Sequence, residues 1–185
     1  MKRTIAIVII LILAALIGFL YLGVEEKVLE STHPTEYKEL VEKYSEMYSV
    51  PKEIVYAVIK TESSFKSDAV SNKGAIGLMQ ITPDTYAWLC TKESFENNSA
   101  DMLYNPEINI KAGTLFLSLL YTEFGIWENV YAAYNAGRTR VAGWLEIDEY
   151  NDNGRLVNIP YAETASYVEK VSKAAEIYTQ LYSDK

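Results

Sequence analysis

The sequence predicts a mainly α-helical globular domain that follows one N-terminal transmembrane helix. Two observations predict the helices: apolar residues recur at three- and four-residue spacing through most of the chain, and prolines and glycines stand where helices would begin and end. A third observation is that no long segment alternates apolar and polar residues as a half-buried strand would. Any sheet is therefore expected to be a small hairpin near residues 75–81.

The transmembrane helix is predicted from residues 5–24, a run of 20 residues without a charge. At about 1.5 Å per residue this run crosses the ~30 Å hydrocarbon core of a bilayer. Lys2 and Arg3 precede it and Glu25 and Glu26 follow it, which favours a cytoplasmic N-terminus and an extracytoplasmic domain. A cleaved signal peptide is the alternative, but the run exceeds the usual apolar core and lacks a small-residue cleavage site. The predicted organisation of this single-pass cell-membrane protein is an anchor at 1–24, a polar tether at 25–35 and a folded domain at 36–185.

The helices of the domain are placed by their caps and breakers. Hydroxyl and amide side chains suit the position before a helix, proline suits its first turn, and glycine suits the position after its last residue. The first two predicted helices cover about 37–48, with Thr35 as a cap, and 51–62, starting at Pro51. A short helix follows from Thr82 and Pro83 through Leu89, and the longest internal helix runs from Asn105 and Pro106 to Phe124, before Gly125. The last three cover about 126–136, ended by Gly137, then 141–145, and 161–182, after Pro160.

Composition excludes several classes of function. The chain has 17 basic and 25 acidic side chains, a net charge of −8, which argues against a nucleic-acid partner because such binding depends on clustered Lys and Arg. Cys90 is the single cysteine and His33 the single histidine. One chain therefore cannot form an internal disulfide, has few donors for a zinc site, and is not expected to contain a Cys-His or Ser-His catalytic pair. Carboxylates, hydroxyls, amides or the backbone must therefore carry any chemistry, and we expect no metal and no cofactor.

Glu62 is the carboxylate that the helical pattern singles out. On a helical wheel it lies about 20° from Val55, 40° from Val58 and 60° from Ile59, on the predicted buried face. Burial disfavours the charged form and raises the pKa of a carboxyl group, which makes it a proton donor near neutral pH. Alternatively, Glu62 emerges into water where the helix ends at Ser63, and the helix alone leaves both readings open.

Four sequence blocks decide between these readings. They are, in chain order, ESSF at 62–65, GAIGLMQI at 74–81, AYNAG at 133–137 and IPYAETASYV at 159–168. Together they resemble the lytic transglycosylases with a soluble-lytic-transglycosylase (SLT) domain, which have the goose-lysozyme-like fold. Arg138 and Thr139 follow the third block where many members have Pro-Gly, and this difference affects the expected shape of that turn alone.

The resemblance implies a substrate, a reaction and a set of site residues. The substrate would be the glycan strands of peptidoglycan, cut at the β-1,4 bond between N-acetylmuramic acid and N-acetylglucosamine, with the domain facing the cell wall. Glu62 would act as acid and then as base, leaving a 1,6-anhydro end. The expected substrate-binding residues are Ser71 and Gln80 as ligands, Tyr134 and Asn135 as supports near the acid, Glu163 as a contact or a helix cap, Tyr161 as an aromatic face, and Met79 as a wall that packs beneath the cleft. Tyr167 offers a second aromatic face or, as is more usual for one of 15 tyrosines, belongs to the core or its rim.

Alternatives remain at this stage. A muramidase of the same fold would let water attack and would release a reducing end, and a non-catalytic wall-binding protein would hold glycan without cutting it. As a third alternative, the protein could belong to a conjugation or secretion apparatus, in which the same reaction would open a passage through the cell wall. Partners in cell-wall synthesis or secretion machinery are not specified by the sequence.

Overall fold

The structure, a computed structural model, describes residues 24, 27–95 and 97–182. It is mainly helical, which confirms the predicted class. The seven helices of the domain are α1 (Lys38–Tyr48), α2 (Lys52–Ser63), α3 (Pro83–Leu89), α4 (Pro106–Phe124), α5 (Trp127–Ala136), α6 (Arg138–Leu145) and α7 (Ala162–Tyr182), with a 3-10 helix at Ala100–Tyr104 and two short antiparallel strands, β1 (Asn151–Asp152) and β2 (Arg155–Leu156).

Several helix boundaries follow the local signals in the sequence. The Thr82 hydroxyl oxygen accepts a hydrogen bond from the backbone N–H of Thr85 at 3.2 Å and caps α3. The Asn105 side chain caps α4 in the same way, accepting from the N–H of Glu107 at 2.9 Å. Gly125 ends α4 with a φ of 65°, a left-handed conformation that glycine adopts without steric cost.

The start of α1 differs from the prediction. The helix begins at Lys38, and Tyr37, with a φ of 60°, occupies the capping position without a side-chain hydrogen bond. Thr35 is therefore not the cap. Helix α6 also begins earlier than predicted, at Arg138, so it follows α5 after the single residue Gly137.

The hairpin also lies elsewhere than predicted. Within residues 70–81 the structure has only isolated bridges, in which Ile76 pairs with Val70 and with Ile81. The two-stranded sheet is β1–β2, whose turn contains Asn153 and Gly154 with φ values of 52° and 86°. An Asn-Gly pair is a strong signal for a tight hairpin turn, because both central residues need positive φ. The sequence contained this signal and the prediction did not use it.

The core forms around α2. Val55, Val58 and Ile59 are fully buried, and α2 packs against α7, which also packs against α5. The α2–α7 pair is antiparallel, because Tyr56 in the first half of α2 stacks on Tyr178 near the end of α7, with ring centroids 5.2 Å apart. The C-terminal end of α2 therefore meets the first turns of α7.

The predicted tether packs against the end of α7. Residues 27–32 are helical, and the carbonyl groups of His33 and Pro34 accept hydrogen bonds from the hydroxyls of Tyr182 and Tyr178 at 3.1 and 2.9 Å. Among the described residues, no helix has the length and apolar character needed to cross a bilayer. The predicted anchor at 5–24 lies outside the described residues, apart from Val24.

Candidate active site

Glu62 lies one residue before the end of α2 and is half-buried. Burial raises its pKa to about 7, and a hydrogen bond from Tyr167 opposes part of that increase. A carboxyl group with a pKa near 7 is present in both protonation states at neutral pH. It can therefore donate a proton in one step of a reaction and accept one in the next.

Tyr167 holds this carboxyl group in place. Its hydroxyl donates a hydrogen bond to Oε1 of Glu62 at 2.7 Å, across 105 residues of sequence. Its side chain is buried, with 8% of the residue exposed, so of the two readings of Tyr167 the structure favours a core residue over an open sugar platform. Tyr167 instead acts through its hydroxyl, and sequence reasoning missed this contact although the residue belongs to the fourth block.

The loop at 69–81 forms one wall beside Glu62. Ser63 donates a hydrogen bond to the carbonyl of Leu78 at 2.8 Å, which fixes the loop to the end of α2. Gly77, with a φ of 80°, lies so close to the carbonyl of Leu103 that a Cβ there would be 2.5 Å from its oxygen. Only glycine fits this position, which explains one of the two glycines in the second block.

Asn109 of α4 fastens the same loop from below. It is fully buried, and its side chain accepts from the backbone N–H of Met79 and donates to the carbonyls of Ile76 and Leu103, each at 2.8 Å. One amide thus satisfies three backbone groups that would otherwise be buried without partners. Sequence reasoning did not identify Asn109, although a polar residue on the buried face of the longest apolar helix was a usable signal.

Ser71 and Gln80 lie on this loop and bind its own backbone. The Ser71 oxygen accepts from the N–H groups of Lys73 and Ala75 at 3.2 and 3.0 Å. The Gln80 amide nitrogen donates to the carbonyls of Ala69 and Gly77 at 3.1 and 2.9 Å. The Ser71 hydroxyl hydrogen and Gln80 Oε1 have no hydrogen-bond partner among the described residues, so both side chains keep a group for a ligand.

Tyr134 is hydrogen-bonded to the backbone of Met79, on the loop beside Glu62. The Tyr134 hydroxyl donates to the carbonyl of Met79 at 2.7 Å. Burial and, after it, the negative charge of Glu62 raise the pKa of Tyr134 well above its usual range, which places this tyrosine beside the acid. The Met79 side chain is fully buried and supports the loop from beneath, so its backbone carbonyl is the part that takes part in the site.

Asn135, Glu163 and Tyr161 lie around the first turn of α7. Asn135 accepts a hydrogen bond from the hydroxyl of Thr164 at 2.8 Å and so joins the end of α5 to α7. Glu163 lies in the first turn of α7, and its exposed carboxylate lies 3.5 Å from the ammonium group of Lys73, on the opposite loop. The structure thus brings Glu163 to the Ser71 loop.

Tyr161 lies further out, at the edge of the site, and is 50% exposed. Its ring contacts Trp144 edge to face, with centroids 5.2 Å apart, and the guanidinium group of Arg140 lies 5.2 Å from the ring centroid. These neighbours belong to α6, so α6 fixes the orientation of Tyr161. No contact with Glu62 is present in the described structure.

The arrangement favours acid–base chemistry. Within the described part of the chain, no group of three or more His, Cys, Asp or Glu side chains could hold a metal ion. A cavity of about 550 Å³ lies at the other end of α2, beside Pro51 and Trp127, and none of the predicted site residues lines it. Glu62 is the candidate catalytic group on chemical grounds, because it combines a raised pKa with a positioning hydrogen bond.

The model of the Transglycosylase SLT domain family matches residues 39–156. The chain belongs to this family. As an SLT domain of the lysozyme-like superfamily, it carries Glu62, the Ser71 loop and the Tyr134–Asn135 pair within the matched segment. The residues that α7 contributes, Tyr167 and Glu163, lie beyond that segment.

Individual relatives extend the comparison. The chain is 34% identical over 167 residues to the soluble lytic murein transglycosylase of Escherichia coli K12, covering 85% of this chain and 25% of that protein. It is 30% identical over 169 residues to membrane-bound lytic murein transglycosylase C of Actinobacillus pleuropneumoniae, covering 79% of this chain and 46% of that one. The chain therefore spans a quarter to just under half of the length of these curated relatives.

Two solved structures share the fold. An inactive mutant of the lytic transglycosylase Slt from Pseudomonas aeruginosa, in which glutamine replaces a glutamate, superposes with a TM-score of 0.74 at 31% identity, covering 82% of this chain and 25% of that one. A complex of a 70-kDa soluble lytic transglycosylase with bulgecin A superposes with a TM-score of 0.77 at 32% identity, covering 85% and 26%. In both, the matching part is a domain of a larger protein.

Proposed function

We propose that this chain is a membrane-anchored lytic transglycosylase that cuts the β-1,4 bond between N-acetylmuramic acid and N-acetylglucosamine in peptidoglycan. The observation that supports this most is the Glu62 carboxyl group, whose pKa of about 7 and hydrogen bond from Tyr167 suit a positioned acid and base. The named relatives are lytic murein transglycosylases, and the solved Pseudomonas variant lost activity when a glutamate became glutamine. Both facts agree with a glutamate-dependent reaction.

The proposed reaction has two steps. In the first, protonated Glu62 donates its proton to the glycosidic oxygen while the bond from that oxygen to C1 breaks, and the acetamido carbonyl of the muramic acid stabilises the developing cation. In the second, the Glu62 carboxylate removes the proton from the C6 hydroxyl while that oxygen bonds to C1. Glu62 returns to its starting state, no water is consumed, and a 1,6-anhydro end is formed.

The surrounding side chains take supporting roles in this proposal. Tyr167 positions the acid, and Tyr134 and Asn135 hold the adjoining backbone and helix in place. The sugar ligands are Ser71 and Gln80, because each keeps an unused polar group, while Glu163 and Tyr161 contact glycan at the exposed end and Met79 supports the loop from beneath.

The proposed organisation keeps the predicted boundaries. Residues 1–24 anchor the protein in the cell membrane with the N-terminus in the cytoplasm, 25–35 form the tether, and 36–185 form the catalytic domain facing the cell wall. The uncharged run at 5–24 with its flanking charges supports this, as does the relative that is named membrane-bound. Peptidoglycan glycan strands and the membrane are then its two partners.

Mass spectrometry of soluble products tests the activity. A fragment beginning at residue 25 is incubated with purified peptidoglycan, beside Glu62→Gln and the matched control Glu53→Gln, which makes the same chemical change at the other end of α2. We expect anhydro-muropeptides from the parent and the control and none from Glu62→Gln. Products heavier by one water would make the protein a muramidase, and absence of products from the parent would favour a wall-binding role.

A further inference from the structure

A basic pocket lies between α2 and α7, next to the tether. It is a cavity of about 370 Å³ whose lining includes three lysines, one histidine and two aliphatic side chains: Lys60, Lys170, Lys173, His33, Ala174 and Ile177. The four residues from α7 share one face, because they follow the three- and four-residue spacing of a helix. We call these six residues the basic pocket.

The pocket is a concentration of positive charge in an acidic protein. Residues 25–185 carry 15 basic and 25 acidic side chains, a net charge of −10. Within the described chain, none of the three pocket lysines forms an ion pair, and Lys170 and Lys173 are exposed. Burial and, to a lesser extent, the charge of Lys60 lower the pKa of His33. These charges lack a partner and fit an anionic one.

The position of the pocket in the chain indicates where that partner lies. His33 lines the pocket and is nine residues beyond Val24, the last residue of the predicted anchor. Nine residues extend at most about 30 Å, and because residues 27–32 are helical the true distance is shorter. Val24 and Val28, four residues apart, are 62% and 54% exposed, which gives this stretch an apolar side. The proposed anchor therefore keeps the pocket within about 30 Å of the bilayer surface, where the domain can turn this face toward the lipid.

We infer that the basic pocket docks on the anionic headgroups of this membrane and holds the domain in one orientation. The inference rests on the proposed anchor. A lysine near an anionic bilayer favours the docked state about fivefold, and three lysines favour it on the order of 100-fold, less at high salt. Tyr167 lies three residues before Lys170, about 4.5 Å along the axis of α7, so docking of the pocket brings the candidate site near the membrane. The glycan strands nearest the membrane are then the ones within reach.

Lysine labelling of the full chain in lipid nanodiscs tests the inference. Discs of phosphatidylcholine are compared with discs that also contain phosphatidylglycerol, and the rate of reaction with an amine reagent is measured for each lysine by mass spectrometry. Phosphatidylglycerol should slow the labelling of Lys60, Lys170 and Lys173 by about tenfold and high salt should restore it, because the attraction is electrostatic. Lys92, in the loop after α3, should be unaffected.

Paired charge reversals add a control. The double change Lys170→Glu with Lys173→Glu should abolish the lipid-dependent protection of Lys60, whereas Lys92→Glu should leave it intact. Equal labelling in both kinds of disc, with the chain retained on the discs after an alkaline wash, would contradict docking of the basic pocket but would agree with the proposed anchor. Release of the chain from the discs by the alkaline wash would contradict both the proposed anchor and the docking that rests on it. Protection in phosphatidylcholine discs by inorganic phosphate or by soluble peptidoglycan fragments would also overturn the inference, because the ligand would then be a free anion.

Discussion

Replacing Glu62 by glutamine should stabilise the domain, and the gain should grow with pH. Burial raises the pKa of Glu62 from 4.5 to about 7, so the folded state holds this proton more tightly than the unfolded state. Well below pH 4.5 the carboxyl group is protonated in both the folded and the unfolded state, so its ionisation does not affect the free energy of unfolding. As pH rises to 7 the unfolded state ionises first, and the parent loses about 3 kcal/mol of unfolding free energy, at 1.36 kcal/mol per pH unit. Glutamine avoids this loss and still accepts the hydrogen bond from Tyr167.

Urea unfolding at pH 4.5 and pH 8 measures the effect. The free energy of unfolding of Glu62→Gln minus that of the parent should be near zero at the lower pH and about 3 kcal/mol at the higher. Glu107→Gln is the matched control: hydrogen bonds from Lys43 and Tyr44 lower the pKa of Glu107, so its stabilisation is lost only below about pH 4.5 and the effect of this variant should be nearly the same at both pH values. A difference for Glu62→Gln that is independent of pH would refute the idea that burial governs this carboxyl group.

Three further changes test the site and its support. Tyr167→Phe removes a hydrogen bond that favours the Glu62 carboxylate, so activity on peptidoglycan should fall while the alkaline limb of the pH–rate profile moves to higher pH. Asn109→Leu leaves three buried backbone groups without partners and should cost about 3 kcal/mol or more in urea unfolding. Gly113→Ala brings a Cβ into the methionine beneath the loop and should cost about 1 to 3 kcal/mol, whereas Gly143→Ala meets no atom within 4 Å and should be neutral or stabilising.

The features of the fold that the sequence predicted are local ones. Thr82, Asn105 and Gly125 each act on the backbone within four residues, so their patterns are visible in a short window. The start of α1 was not predictable in this way, because Tyr37 takes a left-handed conformation with no local side-chain bond to indicate it. The β1–β2 turn was predictable from Asn153 and its following glycine.

The same distinction between local patterns and long-range contacts applies to the candidate site. Glu62 was visible because a carboxylate on a buried helical face is unusual, and the family blocks indicated its neighbours. Its hydrogen bond to Tyr167 was not visible, since no periodicity links residues 105 positions apart. The ion pair between Lys73 and Glu163 was equally hidden, because it depends on how the loop and α7 approach in space.

The long-range contact between α2 and α7 also means that the candidate site needs both ends of the domain. Glu62 is synthesised early in the domain, but Tyr167 belongs to the last helix, so a nascent or C-terminally truncated chain has the acid without the group that orients it. The candidate site is therefore complete only when α7 is packed against α2 and α5. A chain cut before α7 would retain Glu62 but would lose both the hydrogen bond from Tyr167 and the helix that packs against α2 and α5.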